Sequence, residues 1–500
     1  MRFKGLILAF LPLFLQSQIV VQPGAGIVVG NGAKLSTSGL LTLTLQSTAS
    51  GTGSFVDQNP SGSTNVNPAG GVIVQRYIPG WSDANHGWHF LSTPVVSQAI
   101  SPGFVDISGT ISSNQDFYRW SEPFDTWVNI KNASNDYNMG FGELYFSNDN
   151  DPHFQIGKGY LVAYGSNATK QFSGVFNLSD VTVSGLTYTT PVHTYLGWHL
   201  LGNPYPAALI WNKTGGSWNL SNIDANCQIW NESTASYTII TANGIIPAMN
   251  GFMVHVSAHP GSLTIPKSAQ TQNFTAWYKN SDEKMQHIIL KAIDPAGQTA
   301  QETIIRFNEL AQPGYDGDFD SQFLPGFAPQ FYSYTETLKY ALNTLPLSPD
   351  ATAIQLGFVK NSSSVFNITM SENTTGKTVY LRDKNLGIDH QLSEGPYFFS
   401  AAESDDAQRF ILHFGTLGQP GLAGHYPFLV YQNGNKLCFQ SNSHFETIHI
   451  FDLSGRLIHS QKLENSDLQP IDLRDVQNGI LIIRASGSSG SLNQKVVFVR

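Results

Sequence analysis

The chain has 500 residues, which is too many for one hydrophobic core, so several domains are expected. Only 13% of the residues are charged while 41% are hydrophobic, and no long segment repeats apolar residues at helical spacing, which predicts many short strands and few helices. A net charge of -9 argues against nucleic acid as a partner, because binding to phosphates needs clustered Lys and Arg.

The N-terminal residues 1–18 have the pattern of a secretory signal peptide. Arg2 and Lys4 precede an apolar run from Gly5 to Leu15. This run is too short for a transmembrane helix, which needs about 20 apolar residues. We therefore expect the chain to leave the cytoplasm and to have no transmembrane helix in its mature form.

Residues 19–72 form a glycine-rich lead-in. Short apolar steps alternate with Gly and Asn, as in Gly26–Gly32 and Gly39–Leu45. Strands of this length are typical of rungs that stack in a short parallel β-structure, here as a cap on the following modules. The segment Asp57–Gly71 is rich in Pro, Asn, Ser and Gly, which predicts a loop or linker.

Residues 73–270 contain an internal repeat. Gly87–Pro94 has the sequence GWHFLSTP, and Gly197–Pro204, 110 residues later, has the sequence GWHLLGNP. The same offset relates Trp120 to Trp230 and Trp127 to Tyr237. Each repeat is predicted to contain a strand with Gly-Trp-His, a strand pair with the aromatic residues, a Gly-led strand and a return strand.

The two repeats differ by an insertion. Gly159–Val162 aligns with Gly251–Val254 at an offset of 92 residues, so the first repeat carries 18 extra residues. We place them within Asn132–Asp151. The repeats are expected to form two packed β-modules, or one pseudo-symmetric sandwich built from both.

Residues 271–417 are predicted to form a further β-sandwich, followed by a flexible glycine-rich linker at 418–427. Hydrophobic and polar residues alternate in several runs, as in a half-exposed antiparallel sheet. The predicted strands include His287–Lys291, Glu302–Phe307, Val365–Thr369, Val379–Arg382 and Arg409–Phe414.

The last segment, residues 428–500, is predicted to be a small antiparallel β-sandwich of the immunoglobulin-like kind. Apolar residues flank Asp452–Arg456, where Gly455 can take the positive φ of a tight hairpin turn. Three further predicted strand segments are Ile471–Leu473, Asn478–Arg484 and Lys495–Arg500. The whole chain is thus expected to be a multidomain all-β protein made of tandem sandwich-like modules.

The order of these C-terminal segments resembles the type A C-terminal sorting domain of proteins exported by the Bacteroidota type IX secretion system. The residues that carry the resemblance include Asp452, Gly455, Arg456, Gly479 and Lys495. The resemblance implies transport through the periplasm by the type IX machinery and processing by its sortase-like peptidase. The protein would then be secreted or attached to the outer-membrane cell surface.

One departure from that family pattern lies at the start of the domain, where an Asn-Pro turn is usual and this chain has Tyr431–Asn435. Further upstream, several segments resemble an ordered motif set that commonly precedes such sorting domains. These segments are Asp316–Asp320, Leu338–Asn343, Leu381–Asp383 and Asp405–Phe410.

Asp316–Asp320 is also the best candidate for a metal site, because its alternate carboxylates suit calcium, which prefers six or more oxygen ligands. The EF-hand pattern would need Gly and Glu where the chain has Ser321 and Phe327. A looser calcium site and a solvated acidic loop, with Asp318 or Asp320 capping a turn, therefore stay as alternatives. Asn148–Asp151 presents the same choice, and no other cofactor is expected.

Two further pairs of residues are better explained by packing than by ligand binding. His89 and His199 occupy equivalent repeat positions, but zinc needs three or four N or S ligands and no other His or Cys follows the repeat. Cys227 and Cys438 are predicted to be separate buried thiols, because a disulfide would tether a terminal domain that is processed separately.

Four aromatic residues are candidates for platforms that stack on sugar rings: Trp120, Trp127, Trp230 and Tyr237. The alternative is that they pack the sheets together, since large aromatic side chains dominate the energetics of protein cores.

No catalytic motif accompanies these features. Gly-x-Ser-x-Gly and His-Glu-x-x-His are absent, as are phosphate-binding glycine-rich loops. Glu143, Asp149 and Asp151 are conceivable glycosidase carboxylates, although any acidic loop offers such residues. We expect a non-enzymatic exported protein whose role is adhesion or matrix contact. The alternatives are a glycan-binding protein with surface polysaccharide as its partner, or a glycoside hydrolase or other secreted hydrolase.

Overall fold

A computed structural model describes residues 18–37, 41–132, 134–136, 153–189, 195–212, 214–273, 285–312, 314–335, 338–346, 353–414, 429–433, 436–440, 445–452, 454–463, 470–477, 479–487 and 490–498. The predicted all-β fold is confirmed, since these residues form strands and only three short 3-10 helices, Glu122–Phe124, Lys267–Ala269 and Leu392–Glu394. Residues 1–17 of the predicted signal peptide and the predicted linker at 418–427 lie outside the described residues.

The chain divides into two compact units. The first consists of Met1–Ile229 and Ile240–Ser281, and the second of Trp230–Ile239 and Asp282–Arg500.

The glycine-rich lead-in is built from four parallel strand pairs and one antiparallel pair. Its strands are β1 Gln18–Val21, β2 Gly26–Val29, β3 Leu35–Thr37, β4 Thr42–Leu45, β5 Ser47–Thr48, β6 Gly51–Thr52, β7 Ser54–Asp57, β8 Val66–Pro68 and β9 Val72–Ile78. β1 pairs with β4, β2 with β7, β3 with β8 and β4 with β9, all in parallel, as the rung pattern predicts. The loop predicted over Asp57–Gly71 is wrong in part, because β8 lies within it and buries Val66.

The repeat region contributes sixteen strands in two sets. The strands of the first repeat are β10 His89–Leu91, β11 Val95–Val96, β12 Gln115–Ser121, β13 Thr126–Asn129, β14 Tyr160–Tyr164, β15 Ala168–Phe176 and β16 Val181–Leu186. Those that follow are β17 Trp198–Gly202, β18 Ala208–Ile210, β19 Asn219–Ser221, β20 Ile223–Asn231, β21 Ser236–Ile240, β22 Ile245–Ile246, β23 Gly251–Val256, β24 Gly261–Ile265 and β25 Gln270–Thr271.

Two four-stranded sheets in this region have the same strand order. One runs β10-β14-β12-β13 and the other β17-β23-β20-β21, so strands related by the offsets of 110 and 92 residues take equivalent places. Smaller sheets have the orders β16-β24-β19 and β22-β18-β25. β15 runs antiparallel to β9, which joins the lead-in and the first repeat in the sheet β1-β4-β9-β15-β11.

At two of the repeated glycines, the backbone leaves no room for a side chain. Gly197 has a φ of 75°, which L side chains rarely adopt, and a Cβ there would lie 2.4 Å from the carbonyl oxygen of Val256. A Cβ at Gly159 would lie 2.5 Å from the carbonyl oxygen of Leu201. The backbone N–H of Gly159 donates to the carbonyl of Leu200 at 3.2 Å. This close approach brings the start of β14 against β17.

In the second unit, residues 286–414 contribute eleven strands to one sheet, and its buried apolar residues fall into two clusters. The strands are β26 Gln286–Asp294, β27 Thr299–Phe307, β28 Ser321–Gln322, β29 Gln330–Tyr334, β30 Lys339–Leu345, β31 Ile354–Val359, β32 Val365–Asn373, β33 Val379–Asp383, β34 Ile388–Gln391, β35 Tyr397–Ser400 and β36 Phe410–Phe414. The sheet order is β34-β33-β36-β31-β29-β30-β27-β26-β32-β35, with β28 paired to β30. Every strand segment predicted here is found, but β27 and β30 pair in parallel, which their long connection permits.

A buried ion pair joins the two ends of this sheet. The guanidinium of Arg409 donates to the carboxylate of Asp383 on β33, with an Nη2–Oδ2 distance of 2.6 Å. Arg409 Nη1 also donates to the carbonyl of Ser400 on β35 at 2.7 Å, and the Tyr397 hydroxyl on β35 donates to Asp383 Oδ2 at 2.9 Å. Since β33 and β35 lie near opposite ends of the strand order, these contacts hold the sheet folded over its core.

The C-terminal segment is a separate antiparallel sandwich. Its strands are β37 Leu429–Asn433, β38 Lys436–Gln440, β39 Thr447–Asp452, β40 Leu457–Lys462, β41 Ile471–Asp472, β42 Gly479–Gly487 and β43 Gly490–Phe498. They form sheets of order β37-β38-β41 and β40-β39-β42-β43. The buried apolar cluster between them draws only on residues 430–498, including Leu437, Ile450 and Ile483. The predicted sandwich is therefore confirmed.

Candidate functional site

The candidate aromatic residues form two equivalent cross-strand pairs. Trp120 on β12 lies opposite Trp127 on β13, with ring centroids 5.2 Å apart in an edge-to-face arrangement. Trp230 and Tyr237 repeat this geometry, also at 5.2 Å. Trp230 is only 5% exposed, as the core alternative predicts, and packs edge-on against Phe327. Trp120, in contrast, is partly exposed.

Trp120 lines a cleft of about 300 Å³ in the first unit. The cleft lies where β12 and the loop before β14 approach β16 and β17. The indole Nε1 of Trp120 donates to the carbonyl of Trp198 at 2.6 Å, which holds the ring in place. Gln155, Ser184 and Gly185 form exposed parts of the rim. The cleft is therefore open to solvent and holds an aromatic side chain.

Glu122 is the carboxylate among the residues that line this cleft. Its oxygens accept hydrogen bonds from the Thr187 hydroxyl, the N–H and hydroxyl of Thr189, and the N–H of Gly197. Burial by itself would raise the pKa of Glu122, but these hydrogen bonds outweigh it, so the pKa lies below its usual value. Glu122 is thus ionised at neutral pH and anchors the chain that precedes β17.

Two cationic side chains line the same cleft. Arg119 lies on β12 and donates from Nη2 to Oε1 of Gln155 at 2.9 Å. Lys158 precedes β14, and burial together with repulsion from Arg119 lowers the pKa of its ammonium group. Within the described part of the chain, no hydrogen bond or ion pair involves the Lys158 ammonium. Lys158 therefore brings to the cleft an ammonium group without a counter-ion among the described residues.

The repeated histidines have equivalent contacts. His89 Nε2 lies 3.0 Å from the carbonyl oxygen of Pro79, and His199 Nε2 lies 2.8 Å from that of Thr187. A carbonyl can only accept, so each Nε2 carries the proton. Burial lowers the pKa of His199 to about 4, which keeps its ring neutral at pH 7. These contacts agree with a packing role.

In the acidic segment Asp316–Asp320, the carboxylates of Asp316 and Asp320 accept hydrogen bonds from backbone N–H groups. Asp320 is fully buried, accepting from the N–H of Asp316 at 2.8 Å and from the N–H of Thr344 at 2.7 Å. Among the residues that the structure describes, no group of three or more His, Cys, Asp or Glu is placed to hold a metal ion. The other candidates, Asn148–Asp151 and the carboxylates Glu143, Asp149 and Asp151, lie outside the described residues. Cys227 is a buried free thiol.

The sorting-motif residues build the β39–β40 hairpin. Asp452 Oδ1 accepts from the N–H of Arg456 at 2.9 Å, and Oδ2 accepts from Arg456 Nε at 3.0 Å. Gly455 has a φ of 86° in this turn. Gly479 opens β42, opposite Phe498 on β43, and Lys495 on β43 pairs with Ile482. The motif thus encodes one hairpin and the two terminal strands.

The sequence prediction missed the charged residues of the cleft. Arg119 and Lys158 are 39 positions apart, and the pairing of β12 with β14 brings them together. Glu122 could have been noticed from the repeat, because the pattern Trp-x-Glu occurs at Trp120 and again 110 residues later at Trp230.

Comparison with known proteins identifies two regions. Residues 232–414 match the family model of a domain of unknown function (DUF8693), and residues 433–499 match the secretion system C-terminal sorting domain. The first match begins inside Trp230–Ile239, the segment assigned to the second compact unit. The curated proteins contain no match to the chain. Nothing helical in the described ranges is long and apolar enough to span a bilayer.

Proposed function

Because the chain is a cargo protein of the type IX secretion system, secreted or attached at the cell surface through its sorting domain, we propose that the mature protein is non-enzymatic and serves in adhesion or matrix contact. The single observation that carries this proposal concerns the Glu122 carboxylate. This carboxylate lines the cleft, but its oxygens already accept structural hydrogen bonds from the backbone.

A glycosidase needs a pair of carboxyl groups across the scissile bond, one of which is protonated near neutral pH because its pKa is raised. The Glu122 pKa is shifted in the opposite direction. Its donors also include two backbone N–H groups, from Thr189 and Gly197, which a catalytic cycle would have to release. The cleft is therefore better suited to holding a ligand than to cleaving one.

A glycan-binding role is the second candidate, and the exposure of Trp120 favours it. Partly exposed aromatic rings beside polar groups are common in sites that hold sugar rings. Trp120 meets that description, whereas the equivalent Trp230 is buried.

The test compares cells that produce the full chain with cells that produce a chain lacking residues 428–500. The full chain should reach the surface or medium and increase attachment of the cells to a polysaccharide matrix, while the truncated chain should stay in the periplasm. Surface display without any change in attachment would contradict the contact role. Release of reducing ends from the matrix by the purified full chain would contradict the non-enzymatic role.

A further inference from the structure

The cation pair in the cleft is specific to the first repeat. At the offsets of 110 and 92 residues, Arg119 corresponds to Ile229 and Lys158 corresponds to Asn250. Ile229 and Asn250 are each 1% exposed, so the second repeat uses these positions for its core. The repeat architecture therefore does not require the two cations.

Keeping the Lys158 ammonium group in the cleft costs free energy, because it is partly desolvated there. Buried lysines in the same unit have partners: Lys267 Nζ lies 2.6 Å from Asp57, and Lys131 Nζ lies 2.8 Å from Asp116. Lys158 is half-buried beside Arg119 and, in the described residues, has no such partner. An anion in the cleft would remove the repulsion and replace lost hydration.

We infer that the cleft binds the carboxylate or sulfate group of an acidic polysaccharide, with Lys158 and Arg119 as the anion-binding pair and Trp120 as the adjoining wall. This inference rests on the proposed contact function. It narrows that function to one class of ligand, because a neutral glycan would leave the repulsion between the two cations in place.

Because the whole chain has a negative net charge, binding of an acidic polysaccharide has to depend on the cationic groups of the cleft. With a net charge of -9, the protein does not attract polyanions by its overall field. Binding must therefore come from short-range contacts in the cleft, where charge-assisted hydrogen bonds from Arg and Lys are strong. The rim at Gln155, Ser184 and Gly185 is open, so a chain can pass through while one acidic group is held.

The experiment measures binding of the purified full-length chain to three immobilised polymers at about 0.15 M salt. Polygalacturonate carries carboxylates, dextran sulfate carries sulfates, and dextran is the neutral control. We expect binding to at least one acidic polymer and none to dextran, and the preferred polymer identifies the acidic group. Lys158→Met should weaken this binding at least tenfold, because it removes the ammonium group without leaving a partner unpaired.

Lys34→Met is the matched control, since Lys34 is an exposed lysine of the same unit and its loss changes the net charge equally. It should alter binding by less than twofold. Arg119→Gln is a second variant and should also weaken binding, with an unchanged circular dichroism spectrum showing that the fold is intact. Equal losses with Lys158→Met and Lys34→Met, or dextran binding as tight as dextran sulfate binding, would overturn the inference.

An assay of cell attachment distinguishes a failure of this inference from a failure of the proposed function. If attachment depends on the exported chain but Lys158→Met behaves as wild type, the contact role stands and the anionic ligand is rejected. If attachment does not depend on the chain at all, the contact role itself fails.

Discussion

Replacing Arg409 by Met tests the idea that a buried ion pair holds the eleven-stranded sheet closed. The Arg409 side chain is 4% exposed and that of Asp383 is fully buried. Without the guanidinium, the Asp383 carboxylate keeps the Tyr397 hydroxyl and turn N–H groups such as that of Asn385 as donors, but it loses its counter-charge. The connection from Arg409 to Ser400 on β35 is lost as well.

The expected loss of stability follows from the burial of both groups. Removing one partner of a buried ion pair costs about 3–5 kcal/mol, because the remaining charge stays desolvated and unpaired. This corresponds to a roughly 100- to 4,000-fold increase in the opening of the sheet. The Arg409 guanidinium also lies 4.8 Å from the ring centroid of Phe399, and Met partly replaces that packing.

Hydrogen exchange followed by mass spectrometry measures this opening strand by strand in the full chain. We expect the protection of amide protons in β33, β35 and β36 to fall roughly 100- to 4,000-fold. Arg456→Met is the control, since Arg456 is 79% exposed in its pair with Asp452 and such pairs contribute about 1 kcal/mol or less. The double variant Asp383→Leu with Arg409→Met should recover most of the protection. A fall of less than about fivefold in the single variant would refute the reasoning.

Three further changes have defined outcomes. Lys267→Met should destabilise the first unit by about 3–5 kcal/mol, because it leaves Asp57, 2% exposed, without its counter-ion; a melting temperature equal to that of wild type would contradict this. Since the pKa of Glu122 is lowered in the folded state, its contribution to stability is complete above its ordinary value of 4.5 and is lost as the pH falls through the folded pKa. Glu122→Gln should therefore flatten the acid limb of a stability-against-pH curve, and an unchanged limb would argue against it. Gly455→Val should cost about 1–2 kcal/mol because of its positive φ, whereas Gly479→Ala has open space around it; equal effects on export or proteolytic resistance would count against the hairpin argument.

Several elements could be predicted because their signals are local. Gly455 between two apolar runs predicts the hairpin of β39 and β40, and the structure shows it. The repeated Gly-Trp-His of β17 depends on a glycine whose φ is positive. Alternating hydrophobicity places β26 and β32, although it does not indicate that β27 would run parallel to β30. Turn chemistry and periodicity act over a few residues, so one sequence suffices to detect them.

The amino-acid sequence by itself determined the all-β class and the sorting domain, since each depends on residues close together in the chain. It also showed the repeat, because one local pattern recurs 110 residues later. Only the tertiary structure decided which Trp of the repeat is exposed and which charged residues meet. Arg119 and Lys158 line one cleft because β12 pairs with β14 and Gly159 lets the backbone approach β17. Such contacts depend on strand register and close packing across long sequence separations, where the order of residues carries no local signal.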